Sequence, residues 1–302
     1  MQELVTLQLL TAAAAAVTSS CCMQSCKLDF KMASSSNALK FLVCLALLVC
    51  ACHGAVVFKM THNIGFGSTF VHLLQAYIYA ETNQLEFYID SSAWGPGRWR
   101  SLFDSLEEWD MQQHTGKEVL VTGHRNNYYT HIFEIFYTAQ QYETAIHVVF
   151  RPSFPIPHLD TDCCAVQVRR GDKQIEARRL SGQEIAAFIP RVPNVLFVMS
   201  DDYRVVKEMQ SCFPDRPIKT LTPDTSMGSE EKFYNNYNGT QMRQRFILLI
   251  SEMMMYTQCS IQYSDVTSNL GRTLKLLSFH KTVMYTTDPY THDKLIRPMS
   301  MP

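Results

Sequence analysis

Arg169, Arg170 and Lys173 put three cations within five residues, inside the run VQVRRGDK from Val166 to Lys173. Guanidinium groups bind phosphate oxygens through two parallel hydrogen bonds, so this density of charge suits a diphosphate. Asp172, between the cations, can orient its neighbours or accept from a nucleoside or sugar hydroxyl. The same residues also make an ordinary solvated basic turn, and RRGDK alone does not separate the two readings. Position adds something: the apolar stretch CCAVQV (163–168) reads as a strand. The cations then leave at a strand's carboxyl end, the edge where open α/β sheets bind ligands.

Three further constellations share that kind of position. Gly65-Phe66-Gly67 falls between a strand and a helix, where glycine lets backbone N–H groups approach a phosphate. It is also simply a tight turn, and the longer GxGxxG fingerprint is absent because Phe70 holds the last glycine's place. The run SDVTSNLGR, Ser264 to Arg272, follows a strand and opens a leucine-rich helix. Thr267, Ser268 and Asn269 offer hydroxyl, amide and backbone donors there, and Thr267 or Ser268 would serve equally as an N-cap. Ser200-Asp201-Asp202 ends another strand, where its carboxylates can be catalytic, bind a hydroxyl, or merely begin the next helix.

The elements that must position these residues alternate. AVVFKM (55–60) and LEFYID (85–90) read as strands around a helix with apolar residues at Phe70, Leu73, Leu74, Tyr77 and Ile78. Helical spacing fits that run, and Ser68 is the expected cap. Residues 91–150 are less regular, with WGPGRW as a loop and AIHVVF (145–150) as a strand. Pro152, Pro155 and Pro157 suggest a domain break. Beyond it CCAVQV, NVLFVMS (194–200) and CSIQYS (259–264) read as strands, with helices at 181–189, 202–211, 239–257 and 268–278. This alternation predicts an α/β fold of two doubly wound, Rossmann-like halves, 56–157 and 158–302.

Composition narrows the functional classes. The 302 residues are 46% hydrophobic and 18% charged, which excludes a disordered chain. With 27 basic and 28 acidic residues the net charge is -1, so there is no electrostatic footprint for nucleic acid. Any bound anion must be met by a local cluster. Lys40 to Ala55, KFLVCLALLVCACHGA, has about twelve apolar residues and a small-residue end, as a secretory signal peptide does. It is short for a membrane span of about 20 residues, although a short signal anchor or a buried core helix remains open. Residues 1–31 then read as an upstream extension before a start at Met32, and 32–55 as the signal peptide or anchor. Cys163, Cys164, Cys212 and Cys259 follow it and allow three complete pairings. CxxC and HExxH spacings are absent, so a metal site has little support.

Order and spacing together carry a resemblance. RRxDK after a strand, DD after the next strand about thirty residues on, and TSxxxR near the C-terminus resemble the α1,6-fucosyltransferases, as do the Gly-aromatic-Gly turn and Trp94 and Trp99. Bacterial nodulation enzymes and animal N-glycan core fucosyltransferases share this plan. The resemblance covers about 57–287 and implies a two-domain GT-B glycosyltransferase. It implies GDP-fucose as donor, a glycan acceptor, inversion at the anomeric carbon, and neither metal nor other cofactor. It also implies work in the secretory pathway, in the Golgi lumen or after secretion, with membrane attachment only if 40–55 is retained.

By the same resemblance Arg170 holds the donor pyrophosphate with Arg169 beside it, and Lys173 neutralises the leaving phosphate. Asp172 sits near guanosine or fucose, and Glu176 corresponds to the general base, one residue closer to the lysine than in the animal enzymes. Gly65, Phe66, Gly67, Asp201, Asp202, Glu252, Ser268, Asn269 and Arg272 fall at donor-contacting positions. Gln167, Gly171 and Asn269 depart from the family's histidine, threonine and glutamine. The shifted Glu176 leaves Asp172 or Asp202 as substitute bases. Asn238-Gly239-Thr240 is the expected glycosylation sequon. Rival readings are another GT-B transferase, a protein O-fucosyltransferase, or a secreted sugar- or nucleotide-binding protein without catalysis.

Overall fold

The computed structural model describes residues 54–61, 65–110, 119–123, 137–159, 162–170, 180–191, 195–226, 238–265, 267–278 and 282–285. By chain contacts Cys52–Pro302 is one compact unit and Met1–Ala51 another, and all described residues belong to the former. The segment 40–53 thus lies outside them.

Two parallel sheets organise the described residues. The first is built from β1 (Ala55–Lys59), β2 (Glu86–Asp90), β3 (Glu107–Glu108) and β4 (Val119–Gly123), in the order β3-β2-β1-β4. The second contains β5 (Cys163–Val168), β6 (Val195–Ser200), β7 (Ile218–Lys219), β8 (Ile261–Asp265) and β9 (Thr282–Tyr285), in the order β7-β6-β5-β8-β9. Every strand pair is parallel. In each sheet the first strand is interior, and chain order reverses at its side, between β1 and β4 and between β5 and β8. That is the doubly wound α/β plan expected, present twice. Both first strands are covered on both faces: four of five β1 residues and all six of β5 are buried. Continuous apolar runs such as AVVF and CCAV follow from that two-sided cover.

Among the described residues six helices connect and cover the strands: α1 (Phe66–Thr82), α2 (Ala139–Val149), α3 (Gly182–Phe188), α4 (Tyr203–Cys212), α5 (Gly239–Gln258) and α6 (Asn269–Leu277). In α1, Phe70, Leu73, Leu74 and Ile78 are buried at the expected spacing. Its start differs from expectation. Gly65, not Ser68, is the cap position, and the Gly65 carbonyl accepts from Ser68 N at 3.0 Å and Thr69 N at 3.2 Å. The helix begins as soon as the glycine turn ends.

A second correction concerns 145–150. The apolar run is the last turn of α2, not a strand. Thr138 accepts from Gln141 N while the Gln141 side chain reaches back to Thr138 N, closing a capping box that starts the helix six residues upstream. A six-residue apolar run cannot by itself distinguish strand from buried helix face. The third is a shift. β8 starts at Ile261 rather than Cys259, because Cys259 ends α5 and is bonded to Cys163 at the start of β5. Of the three pairings left open, this bond is present, while Cys164 and Cys212 are free.

The core crosses from one sheet to the other. Phe66 stacks on Phe70 and Phe103 and meets Phe246 of α5 edge-on, and Trp94 also packs edge-on against Phe246. Beside this cluster, a Cβ on Gly67 would lie 2.6 Å from Leu270 N and 2.8 Å from the Asn269 carbonyl carbon. Only glycine allows α1 and α6 to begin that close together. Gly67→Ala is therefore expected to destabilise the fold by about 1–3 kcal/mol in urea unfolding. Gly65→Ala, with nothing within 4 Å of its would-be Cβ, should stay within about 0.5 kcal/mol. Equal effects at both glycines would remove this reading.

Candidate functional site

At a reversal of strand order, the loops leaving the two central strands part to opposite faces and open a crevice at their carboxyl ends. In the second sheet those exits are Arg169–Arg170 after β5 and Thr267–Ser268 after β8. In the first sheet the exit from β1 leads to Gly65-Phe66-Gly67. The contact between the starts of α1 and α6 joins these exits, so residues 65–67 and 268–270 share one location. Phe66 itself is 5% exposed and belongs to the core, so its side chain is not offered there. Gly65 is exposed, and so are Thr267, Asn269 and Arg272.

The strand ends beneath are pinned by buried polar bonds. Asp265 N donates to Gln167 Oε1 at 3.1 Å, tying the end of β8 to β5. Asp265 Oδ1 accepts from Thr267 N at 2.9 Å and Thr267 Oγ1 at 2.7 Å, which turns the chain toward α6. Ser268 then caps α6, accepting from Gly271 N, as expected. A Cβ at Gly271 would fall 2.1 Å from the Asp265 carbonyl oxygen, so that residue must also be glycine. Gln167 here has a structural task.

The exit of β6 is equally fixed. Ser200 Oγ donates to the Val168 carbonyl at 2.9 Å and Asp202 N donates to Ser200 Oγ at 3.1 Å. Thr222 Oγ1 lies 3.0 Å from Glu252 Oε1 and 3.1 Å from the Ser200 carbonyl oxygen. Glu252 is therefore buried at the β6 exit, on α5. The two aspartates divide their work. Asp201 accepts from Arg170 N at 2.8 Å and pairs with Arg169 Nε at 3.4 Å. Asp202 begins α4: it accepts from Arg204 N and from the Arg204 guanidinium at 2.6–3.0 Å through both oxygens.

Arg170 is turned away from the strand edge. Its Nη1 donates to Glu208 Oε1 at 2.5 Å, and its Nη2 donates to Glu208 Oε2 and the Leu180 carbonyl, each at 2.6 Å. Glu208 Oε2 also accepts from Gly182 N at 2.7 Å. Only 8% of the Arg170 side chain is exposed, against 30% for Arg169. A cavity of about 420 Å³ opens beside this cluster, walled by Leu180, Ser181, Glu184, Asp202 and Arg204. Asp172, Lys173 and Glu176 lie outside the described residues. Arg272 reaches back to Asn269 Oδ1 at 3.4 Å. Asn238 stands apart as the cap of α5, exposed and accepting from Gln241 N.

Sequence reading missed Glu208, Thr222 and Arg204. Glu208 looks like a solvated charge on an amphipathic helix, and its partner is 38 residues away. The Ser181–Glu184 capping box, which brings Gly182 under Glu208, was the one visible signal. Among the described residues no cluster of His, Cys, Asp or Glu suits a metal ion.

No family model and no curated protein matches the chain. Solved structures do. A mutant of Arabidopsis thaliana FUT1 in complex with GDP aligns with TM-score 0.49 and 13% identity, over 78% of this chain and 71% of that one. NodZ alpha-1,6-fucosyltransferase soaked with GDP-fucose gives 0.45 and 14%, over 77% and 95%. Fucosyltransferase NodZ from Bradyrhizobium gives 0.44 and 15%, over 77% and 96%. Two of these three are fucosyltransferases, and the other holds GDP.

The two ion pairs carry a pH signature. Hydrogen bonds from Arg170 hold the Glu208 carboxyl below its ordinary 4.5, outweighing burial. Burial pushes Asp202 up, but the bonds from Arg204 together win and hold it below 3.8. Both groups are depressed, so the stability they contribute is complete above their ordinary values and is lost as pH falls through the folded ones. The urea midpoint should be flat above about pH 5 and fall below about pH 4, and Glu208→Gln should lessen that fall. An unchanged acid slope in the Glu208→Gln variant would contradict the assignment.

Proposed function

We propose that this chain is an inverting, GDP-fucose-dependent fucosyltransferase acting on a glycan hydroxyl, with the 6-position of N-acetylglucosamine as the expected acceptor. The observation that carries the proposal is the meeting of two helix starts, at Gly65–Gly67 and Ser268–Leu270, beside the carboxyl edges of two parallel sheets. The two helix starts with their dipoles, and Arg169 at the exit of β5, are the features offered to a diphosphate in this reading. The RRxDK, DD and TSxxxR motifs supply the resemblance that selects GDP-fucose among nucleotide sugars.

In this proposal Arg169 takes the pyrophosphate role that the resemblance gave to Arg170, whose guanidinium is engaged by Glu208 and Leu180. The reaction is an in-line displacement. A carboxylate accepts the acceptor's hydroxyl proton as the oxygen bonds to the fucose anomeric carbon. The bond from that carbon to the β-phosphate oxygen breaks, and its electron pair leaves with GDP. Arg169 and Lys173 offset the charge that builds on the departing phosphate, and the proposal requires no metal. Asp202 is a poor base, being 1% exposed, bonded to Arg204 and depressed in pKa. Glu176 and Asp172 remain the candidates.

A secretory-pathway location is supported by the sequence at 40–55 and by the Cys163–Cys259 disulfide, which belongs to oxidising compartments. Among the described residues no helix is long and apolar enough to cross a membrane. Asn238 keeps its capping oxygen when its amide nitrogen carries a glycan, so α5 tolerates the modification. The secreted protein should lose mass on glycosidase treatment and begin near residue 55. Unchanged mass, or an N-terminus before Lys40, would count against the luminal route.

GDP release from GDP-fucose, with biantennary N-glycans and chitin oligomers as acceptors, tests the activity. Arg169→Ala should cut transfer about 10²–10³-fold, and Arg169→Lys should recover only part, because an ammonium lacks the planar fork. Binding of UDP as tight as GDP would remove the donor assignment. GDP binding without turnover on any acceptor would instead support a non-catalytic binding protein.

A further inference from the structure

We infer that α5 and residues 151–159 form a brace that locks the two sheets into one body, so the segment where prolines suggest a break is not a hinge. The inference stands on geometry and takes from the proposed function only GDP as a probe.

Two halves of a chain that share a crevice ordinarily move about the segment joining them, unless something ties them. Here the joining segment is bonded at two points. At its start, Ser153 N donates to the Leu102 carbonyl at 3.0 Å and Asp104 N donates to the Arg151 carbonyl at 2.7 Å. Phe103 and Pro152 pair there as an antiparallel bridge. That end is therefore held by the loop that follows Trp99 in the first half. Further on, Pro155 and Pro157 supply no N–H, leaving few backbone donors to fasten the chain. One side chain does it. Gln258, the last residue of α5, accepts from Leu159 N at 2.8 Å and donates through Nε2 to the Pro157 carbonyl at 3.0 Å. A side-chain amide can do both because it carries acceptor and donor side by side, as a neighbouring strand does.

The helix then closes the circuit. The next residue, Cys259, is bonded to Cys163 of β5, and Ser260 N donates to the Cys163 carbonyl at 3.0 Å. Ile250, Met253 and Tyr256 are buried in one cluster with Ala165 of β5 and Phe197 of β6, which fixes the helix body to the second sheet. Its first turns reach the other half. Phe246 meets Phe66 and Trp94 edge-on, and Arg243 Nη2 donates to the Ser101 carbonyl at 3.0 Å. Ser101 adjoins Leu102, where residues 151–153 are held. Loop, connector and helix make a closed triangle, and rotating one sheet against the other would break a side of it. The crevice at Gly65–Gly67 and Ser268 is accordingly preformed, and GDP enters it without closure of the two halves.

The test places spin labels, through noncanonical amino acids, at the exposed Gln140 of α2 and Gln210 of α4. Double electron–electron resonance then reads the distance between the halves. The expected result is one narrow distance that saturating GDP moves by less than about 2 Å. A second distance, or a larger shift with GDP, would overturn the brace. Hydrogen exchange of Gln258→Ala supplies the other arm. Loss of the fork should speed exchange about fivefold at Leu159, and also at 101–104, the far corner of the triangle that this side chain does not touch. Faster exchange at Leu159 alone would make Gln258 a local fastener and overturn the brace. Exchange unchanged at both places, or raised uniformly along the chain, would overturn it too. If GDP does not bind, the functional reading fails and the distance distribution of the GDP-free chain still decides the brace.

Discussion

The close approach of Gly67 to the backbone of Asn269 and Leu270 is the constraint on which the rest depends. Each parallel sheet, taken alone, has an interior first strand and a crevice at its carboxyl edge. Two such crevices make one site only if the helices leaving them can touch. A methyl group at residue 67 would intrude on a peptide bond, not on a side chain that could rotate away. The aromatic cluster of Phe66, Trp94, Phe103 and Phe246 then supplies apolar burial across the same junction. Contact geometry and hydrophobic packing therefore agree on where the sheets meet.

Beneath that junction the polar residues sort by burial. Gln167, Ser200, Asp265 and Glu252 are buried, and their recorded bonds tie strand ends to one another or to the next turn. Buried polar groups of this kind must be satisfied, and once satisfied they hold a geometry more rigidly than apolar contacts do. Arg169, Gly65, Thr267 and Asn269 keep more exposure and form the face such a scaffold would offer to an anion. Asp201 stands between the groups, holding the Arg170 backbone with one oxygen and the Arg169 guanidinium with the other.

Much of this was legible in the residues. Strands buried on both faces announce themselves as apolar runs, and helices α3 to α6 fell within two residues of their expected ends because Ser181, Asp202, Asn238 and Ser268 are cap residues. The 145–150 run misled because its capping box lies well upstream and periodicity over six residues is ambiguous. β4, within the stretch read as less regular, was not expected, nor were the short strands β3, β7 and β9, since two to four residues carry no period. Within the site, motif spacing found the strand exits but not which way their side chains turn. Two adjacent arginines after a strand necessarily diverge, and only the partner on α4 decides that Arg170 goes inward. No local pattern encodes a pairing between residues 170 and 208.

One measurement bears most directly on the claim that both sheets build a single nucleotide site: hydrogen exchange of the intact protein with and without GDP. The account predicts slowed exchange at two separated stretches together, 65–69 and 267–272, titrating with one shared midpoint. Protection on one sheet alone, or at two midpoints, would contradict it.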